Sequence, residues 1–242
     1  MSLTAVQLDA KVIAVVSELG AAVEQFAPVV FASSMGAEDM VLMDIIYKNS
    51  IDIEIFTIDT GRLPPETYAV MAKAATHYGR RSAIYLPQAQ SVETFVSAYG
   101  INGFFDSIAA RKACCHARKV EPLRRALAGK RAWVTGLRSS QSSTREAVVT
   151  SAFDDNNGLQ KINPLALWSD AEVWEYIRAN DVPYNALHDQ GFPSIGCAPC
   201  TRAIQPGEDI RAGRWWWENP ETKECGLHMV DGRLQRINVG TV

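Results

Sequence analysis

Apolar positions recur at helical spacing through TAVQLDAKVIAVVSELGAAVEQ, residues 4 to 25, and predict an amphipathic N-terminal helix. A short apolar run, VVFASSM, then leads through a glycine-containing turn into GAEDMVLMDIIYK, where Ala37 to Lys48 again read as a helix. IDIEIFTIDTGR repeats the arrangement: a β-branched strand ends at Asp59-Thr60-Gly61, and a helix from Pro65 to Tyr78 follows, its first turn suited by Pro64 and Pro65. RSAIYLP predicts a third strand, SVETFVSAYG and KVEPLRRALAG two further helices, and KRAWVTGLR a fourth strand that ends in Gly136. Strands alternating with helices predict a doubly wound α/β domain with a mostly parallel sheet.

Past residue 147 the pattern changes. EAVVTSAFDD and LQKINPL read as two strands joined by a turn from Asp154 to Gly158, and SDAEVWEYIRAND as a helix with Ser169 as its N-cap and an acidic first turn. From Asp181 onward Pro, Gly, Asn and Asp predict a loop-rich segment with short helices. The stretch from Asn219 to Val242 lacks apolar periodicity and predicts a mobile tail.

Composition narrows the function class. The 242 residues are 47% hydrophobic and 21% charged, an ordinary globular balance. Lys and Arg number 24 against 27 Asp and Glu, a net charge of −3, which argues against nucleic-acid or anionic-membrane binding by bulk charge. Without a long apolar run or a signal-like N-terminus, a cytoplasmic protein is expected, and homo-oligomerisation stays open.

The five cysteines change the picture most. Cys114 and Cys115 are adjacent, Cys197 and Cys200 form a CxxC in IGCAPCTR, and Cys225 stands alone in KECGLHM. Four thiolates in two close groups are enough to hold a zinc ion or a [4Fe-4S] cluster. Adjacent cysteines point about 100° apart on a helix, or to opposite faces of a strand, which a cluster tolerates better than the knuckle of a structural zinc site. The alternatives are a buried apolar pair at 114 and 115 and a redox dithiol at 197 and 200. Cys225, with Lys223 before it and His228 after it, has the cationic surroundings that raise a thiolate fraction, as a nucleophile needs. His116 is not needed to complete four ligands, and His77 and His188 read as structural.

SSMGAED lies where a strand hands over to a helix, so backbone amides of the turn, with the Ser33 and Ser34 hydroxyls, form a candidate anion cradle. It is neither a GxGxxG fingerprint nor a Walker loop. Cationic residues recur nearby: Arg111, Lys112, Arg118 and Lys119 around the cysteine pair, Arg138 and Arg145 after the fourth strand, and Arg211 and Arg214 after the CxxC. Guanidinium forks match phosphate and sulfate oxygens. The run Trp215 to Trp217 is expected to pack the C-terminal segment onto the body.

These segments together, SSMGAEDMVL, FTIDTGRL, KACCHARKVEPLRRAL, WVTGLRSSQSSTR, INPLALWSDAEVWEYI, GCAPCTRAIQPGEDIRAGRWWWE and ECGLH, resemble the assimilatory adenylyl-sulfate (APS) reductases, within the wider family of APS and phosphoadenylyl-sulfate (PAPS) reductases. The resemblance runs from about residue 25 to about 230. It implies an adenine-nucleotide α-hydrolase-like fold of the kind shared with ATP pyrophosphatases. Residues 1–218 would form one α/β nucleotide-binding reductase domain, and 219–242 a flexible tail carrying the catalytic cysteine. It further implies that Cys114, Cys115, Cys197 and Cys200 ligate a [4Fe-4S] cluster, and that Cys225 is the nucleophile, assisted by Lys119 and His228. Ser33, Ser34 and Gly36 would belong to the nucleotide loop. Asp59, Thr60, Gly61, Leu63 and Gly136 would line the adenosine pocket, and Arg145, Arg211 and Arg214 would surround the phosphosulfate. Arg138 is a substrate candidate as well, although Ser139 and Ser140 follow it where the family commonly has a basic and then an acidic residue. The implied reaction is reduction of APS to sulfite and AMP through an S-sulfonated cysteine, with thioredoxin or a similar dithiol as reductant. PAPS or dual use and an ATP pyrophosphatase-type sulfur-transfer enzyme are the enzymatic rivals; a non-enzymatic metal-binding module is the other.

Overall fold

A computed structural model describes residues 5–139 and 148–219. Six strands form one sheet in the order β3-β2-β1-β4-β6-β5. They are β1 (Val29–Ala32), β2 (Glu54–Ile58), β3 (Ala83–Tyr85), β4 (Ala132–Val134), β5 (Ser151–Asp154) and β6 (Leu159–Ile162). All neighbours pair in parallel except β5, which returns antiparallel on β6 across the expected turn. The chain therefore runs outward from β1 to β3, then re-enters on the other side of β1 as β4. In open α/β sheets a ligand crevice forms where the order reverses, beyond the carboxyl ends of the strands.

Alternation along the central strands builds two cores. Val29, Phe31, Ile55, Ala132 and Val134 face one way and pack with α1 (Ala5–Phe26), α2 (Ala37–Lys48) and α7 (Asp170–Ala179). Val30, Phe56 and Trp133 face the other way, against Leu123, Ala126 and Leu127 of α6 (Glu121–Leu127). Helix α2 is buried nearly all round, and its Asp44 accepts from Tyr78 at 3.0 Å and Tyr176 at 2.7 Å while pairing with Lys48 at 2.8 Å, so this buried carboxylate is well compensated. Ser169 caps α7 in a capping box with Glu172, whose carboxylate also takes Lys11 of α1 at 2.7 Å.

Helix α3 (Pro65–Tyr78) has the predicted bounds, and α4 is Ala89–Tyr99. The segment around the cysteine pair is more helical than its sequence suggests: α5 covers Ile108–Cys115, capped by Ser107, and passes through a π-helical stretch, His116–Val120, into α6. Beyond α7 the chain has short 3-10 turns at Ala186–Gln190 and Ala198–Cys200, as its composition predicts. Among the described residues no helix is long and apolar enough to cross a membrane.

Candidate active site

A cavity of about 270 Å³ opens at the carboxyl ends of β1, β2 and β4. Ser33 continues β1, its amide donating to the Phe56 carbonyl at 2.8 Å, and the loop then turns through Met35 at a φ of 62°. Asp39, in the first turn of α2, holds this loop: one carboxylate oxygen accepts from both the amide and the hydroxyl of Ser34 at 2.6 Å. The Ser33 hydroxyl accepts from the Met35 amide at 3.2 Å. The two hydroxyls thus shape the loop from within, while Gly36 stands at the N-cap of α2 with no side-chain cap. Burial pushes the Asp39 carboxyl up to about 6, against the lowering pull of its Ser34 bonds. Gly136, at the end of β4, has to be glycine, because a Cβ there would collide with the Asp39 carboxylate and crowd Glu38.

The turn after β2 faces this loop and is tied to the CxxC. Asp59 accepts from the Gly61 amide and from Tyr68, both at 2.8 Å, and Gly61 takes a φ of 70° that favours glycine. The Thr60 hydroxyl lies 3.2 Å from the Cys197 sulfur, the Thr60 carbonyl accepts from Arg118 at 2.8 Å, and the Ala198 amide donates to the Arg62 carbonyl at 2.8 Å.

Cys114, Cys115, Cys197 and Cys200 are not cross-linked as disulfides, and all line the cavity. They pack in one cluster with Phe95, Phe104 and Trp215. Burial raises the Cys200 thiol well above its ordinary value, and Cys197, Cys115 and Cys114 raise it further, so the four sulfurs share one electrostatic neighbourhood. Burial likewise raises Cys114, opposed by Arg118 and Arg62. Among the described residues no three His, Cys, Asp or Glu side chains close tightly enough to chelate one bare ion. A four-iron cube spreads its thiolates wider than a single zinc ion does, and four soft ligands, Cys114 and Cys200 buried and Cys115 and Cys197 half-buried, beside guanidinium groups suit an anionic cluster in donor chemistry.

Around the sulfurs, Arg111 is fully buried and pairs bidentately with Glu218, at 2.9 and 2.8 Å, while lying 4.7 Å from the Trp215 ring. Arg214 also lies over that ring, at 4.9 Å, and donates to the Ile195 carbonyl at 2.8 Å. Trp215 is accordingly buried, and Trp217 packs on Phe105 with centroids 4.4 Å apart, which is the anchoring expected of the tryptophan run.

The cavity wall brings together Ser33, Ser34, Gly36, Thr60, Leu63, Lys119, Gly136, Arg211, Arg214 and the four cysteines. Asp59, Gly61 and Arg138 do not line it. Arg138 is buried and held by Glu38 at 2.6 Å, Asp170 at 3.1 Å and the Trp168 carbonyl at 3.3 Å, so its guanidinium braces α2 against α7. Arg145, Cys225 and His228 lie outside the described residues. His188, which the sequence places among structural histidines, lines the cavity, as does Arg62. Arg62 belongs to the FTIDTGRL segment, whose Asp59 to Leu63 turn is expected at the pocket, whereas His188 carries no local signal, since its position depends on distant contacts such as that of Asn185 with Thr67.

The phosphoadenosine phosphosulfate reductase domain family matches residues 28–203. An adenosine 5'-phosphosulfate reductase from Allochromatium vinosum is 56% identical over 227 residues, covering 94% of this chain and 89% of that protein. Among solved structures, the phosphoadenylyl-sulfate reductase from Candida auris, in a phosphate complex, superposes with a TM-score of 0.68 at 30% identity, covering 84% of this chain and 99% of that one. Yeast FAD synthetase in complex with FAD, 16% identical, covers 84% of this chain and 70% of that one with a TM-score of 0.51, a likeness of fold alone. The fold is the adenine-nucleotide α-hydrolase-like one. With the sheet order, the serine loop and the match along most of its length, the chain belongs to the phosphoadenosine phosphosulfate reductase family, beside the adenosine 5'-phosphosulfate reductases.

Proposed function

We propose that this protein reduces adenosine 5'-phosphosulfate to sulfite and AMP in sulfate assimilation, with thioredoxin or a similar dithiol as the electron donor. The observation that carries the reading is the convergence of a serine-rich nucleotide loop, four cysteines and the cations Lys119, Arg211 and Arg214 on one cavity at the strand-order reversal. Cys114, Cys115, Cys197 and Cys200 would hold a [4Fe-4S] cluster, which when bound would supply structural cross-linking of α5 to the CxxC turn and a local electrostatic field.

In this mechanism the Cys225 thiolate attacks the sulfur of APS in line. The sulfur–oxygen bond to the phosphate breaks, AMP leaves with that electron pair, and Cys225 carries a sulfonate. One thiolate of the dithiol then attacks the Cys225 sulfur and expels sulfite, forming a mixed disulfide. The second thiol resolves it, returning Cys225 as a thiolate and the donor as a disulfide. Two anions meet in the first step, so Lys119, Arg211 and Arg214 act by neutralising their repulsion, each contributing about 3 kcal/mol in a closed site. The Ser33 to Gly36 loop and the Thr60 to Leu63 turn hold the nucleotide, and Gly136 lets Asp39 keep that loop in shape.

Mass spectrometry after mixing the anaerobic protein with APS, without reductant, tests this reading. The expected product is a sulfonate adduct on Cys225. An adduct on another cysteine, sulfite release by Cys225→Ser, or sulfite from PAPS with none from APS would overturn it.

A further inference from the structure

We propose that His188 reads the nucleotide: its Nε2 accepts a hydrogen bond from one of the donors of the adenosine moiety. The inference rests on the cavity taking APS, and it adds a recognition residue that neither the loop motifs nor the cationic set provides.

The imidazole is held from several sides. Its backbone amide donates to the Asn185 carbonyl at 3.0 Å, and Asn185, itself buried, donates to the Thr67 hydroxyl at 2.9 Å, which ties this 3-10 turn to α3. The ring stands edge-on to Trp174, with centroids 5.3 Å apart and planes at 80°. The Phe192 backbone pulls on the ring as a hydrogen-bond acceptor and raises its proton affinity, while Nε2 is buried with no hydrogen-bond partner in a side chain that lines the cavity, so the Phe192 pull falls to Nδ1.

The protonation state follows from the same surroundings. Desolvation lowers the His188 pKa from its ordinary value, and the opposing pulls of Glu38, Asp170 and Asp189 do not cancel it. The ring is therefore neutral near pH 7. A proton on Nδ1, the nitrogen that meets the Phe192 backbone, leaves Nε2 a lone pair and no proton. A buried acceptor left without a donor is costly, so the site favours a ligand that brings one.

APS brings few. Its phosphosulfate group is acceptor-only at neutral pH, which leaves the adenine amine, the ribose 2'-hydroxyl and the ribose 3'-hydroxyl. PAPS lacks the last of these and carries a phosphate dianion in its place, which an Nε2 lone pair close to Glu38 and Asp170 would repel.

The test is a cycle between protein and ligand, read as AMP affinity by calorimetry and as KM and kcat for APS. His188→Ala should bind AMP about tenfold more weakly, and should raise KM for APS about tenfold with kcat little changed, the pattern of a contact made equally in ground and transition states. Among purine riboside monophosphate, 2'-deoxy-AMP and 3'-deoxy-AMP, one should bind wild type about tenfold more weakly than AMP and bind both proteins equally; that analogue identifies the donor. His188→Asn, which keeps an acceptor, should recover part of the affinity and serves if the alanine variant fails to fold. Wild-type affinity for AMP in His188→Ala, or an equal deficit with all three analogues, would overturn the inference. Failure of the wild-type protein to bind AMP or turn over APS would overturn the nucleotide reading beneath it, and this inference with it.

Discussion

Asp39 is the keystone of the serine loop and also its pH-sensitive point. Its carboxyl is pushed from 3.8 to about 6 because burial outweighs the two Ser34 bonds. For an acid whose folded pKa is raised, the associated stability is fully present below the unfolded value and is lost as pH rises through the folded value. The full span of the shift corresponds to about 3 kcal/mol. Only part is read in a usable window: applying the linkage relation between pH 7 and pH 5 gives a gain of about 1.3 kcal/mol on acidification from this group alone. Asp39→Asn is nearly isosteric and keeps an acceptor for the Ser34 amide, but has no titration. Urea unfolding of both proteins at pH 5, 6 and 7 isolates the contribution, because other titrating groups cancel in the difference. The stability gap between wild type and variant should shift by about 1.3 kcal/mol across that range, in favour of wild type at pH 5. Parallel pH profiles would refute the argument that desolvation governs this carboxylate.

Gly136→Ala should drive a methyl group into Asp39 and Glu38, costing about 1–3 kcal/mol of stability by overpacking and raising KM for APS as the Ser34 bonds loosen; thermal melts and steady-state kinetics check both, and an unchanged KM counts against Asp39 as the loop's anchor. Glu218→Gln should remove the carboxylate from a pair whose side chains are 0% and 5% exposed, costing about 3 kcal/mol, visible as a lower urea midpoint with an unchanged slope.

The parts of the fold that were legible are those written in short-range periodicity. Val29 to Phe31 and Ala132 to Val134 alternate between two cores, and Ser169 with Glu172 announces the start of α7. The helix under the cysteine pair was not legible, because α5 is only eight residues long and the burial of its Arg111 comes from Glu218 and Trp215, far along the chain. The same limit explains the site. Cysteine spacing identifies a four-thiol group, but the Thr60 to Cys197 contact spans 137 residues and the Arg138 to Glu38 pair spans 100, and no local pattern encodes such pairings. Arg138 illustrates the cost: its sequence position beside a glycine at a strand end suggests a ligand contact, yet the two acids it meets in space make it a brace.

The π-helical stretch His116–Val120 fixes a count as well as a shape. In a regular α-helix each residue advances about 100°, so a fifth neighbour falls well away from the first; a wider turn returns it to the same side. Cys114 and Lys119 both meet the cavity across this turn, while Leu123, Ala126 and Leu127 beyond it meet Phe56 and Trp133. The stretch works as a vernier between two gear wheels, one engaged with sulfur and one with the sheet. Deleting a single residue here would close the wide turn into regular α-helix and leave both wheels in mesh, because five residues of the wider turn come round about as far as four of the α-helix. A deletion within Glu121–Leu127 has no such wide turn to absorb it and would rotate the apolar residues beyond it by about 100° away from Phe56 and Trp133, so the π-helical stretch is the one place between Cys114 and Leu127 where the helix can change length without losing the sheet.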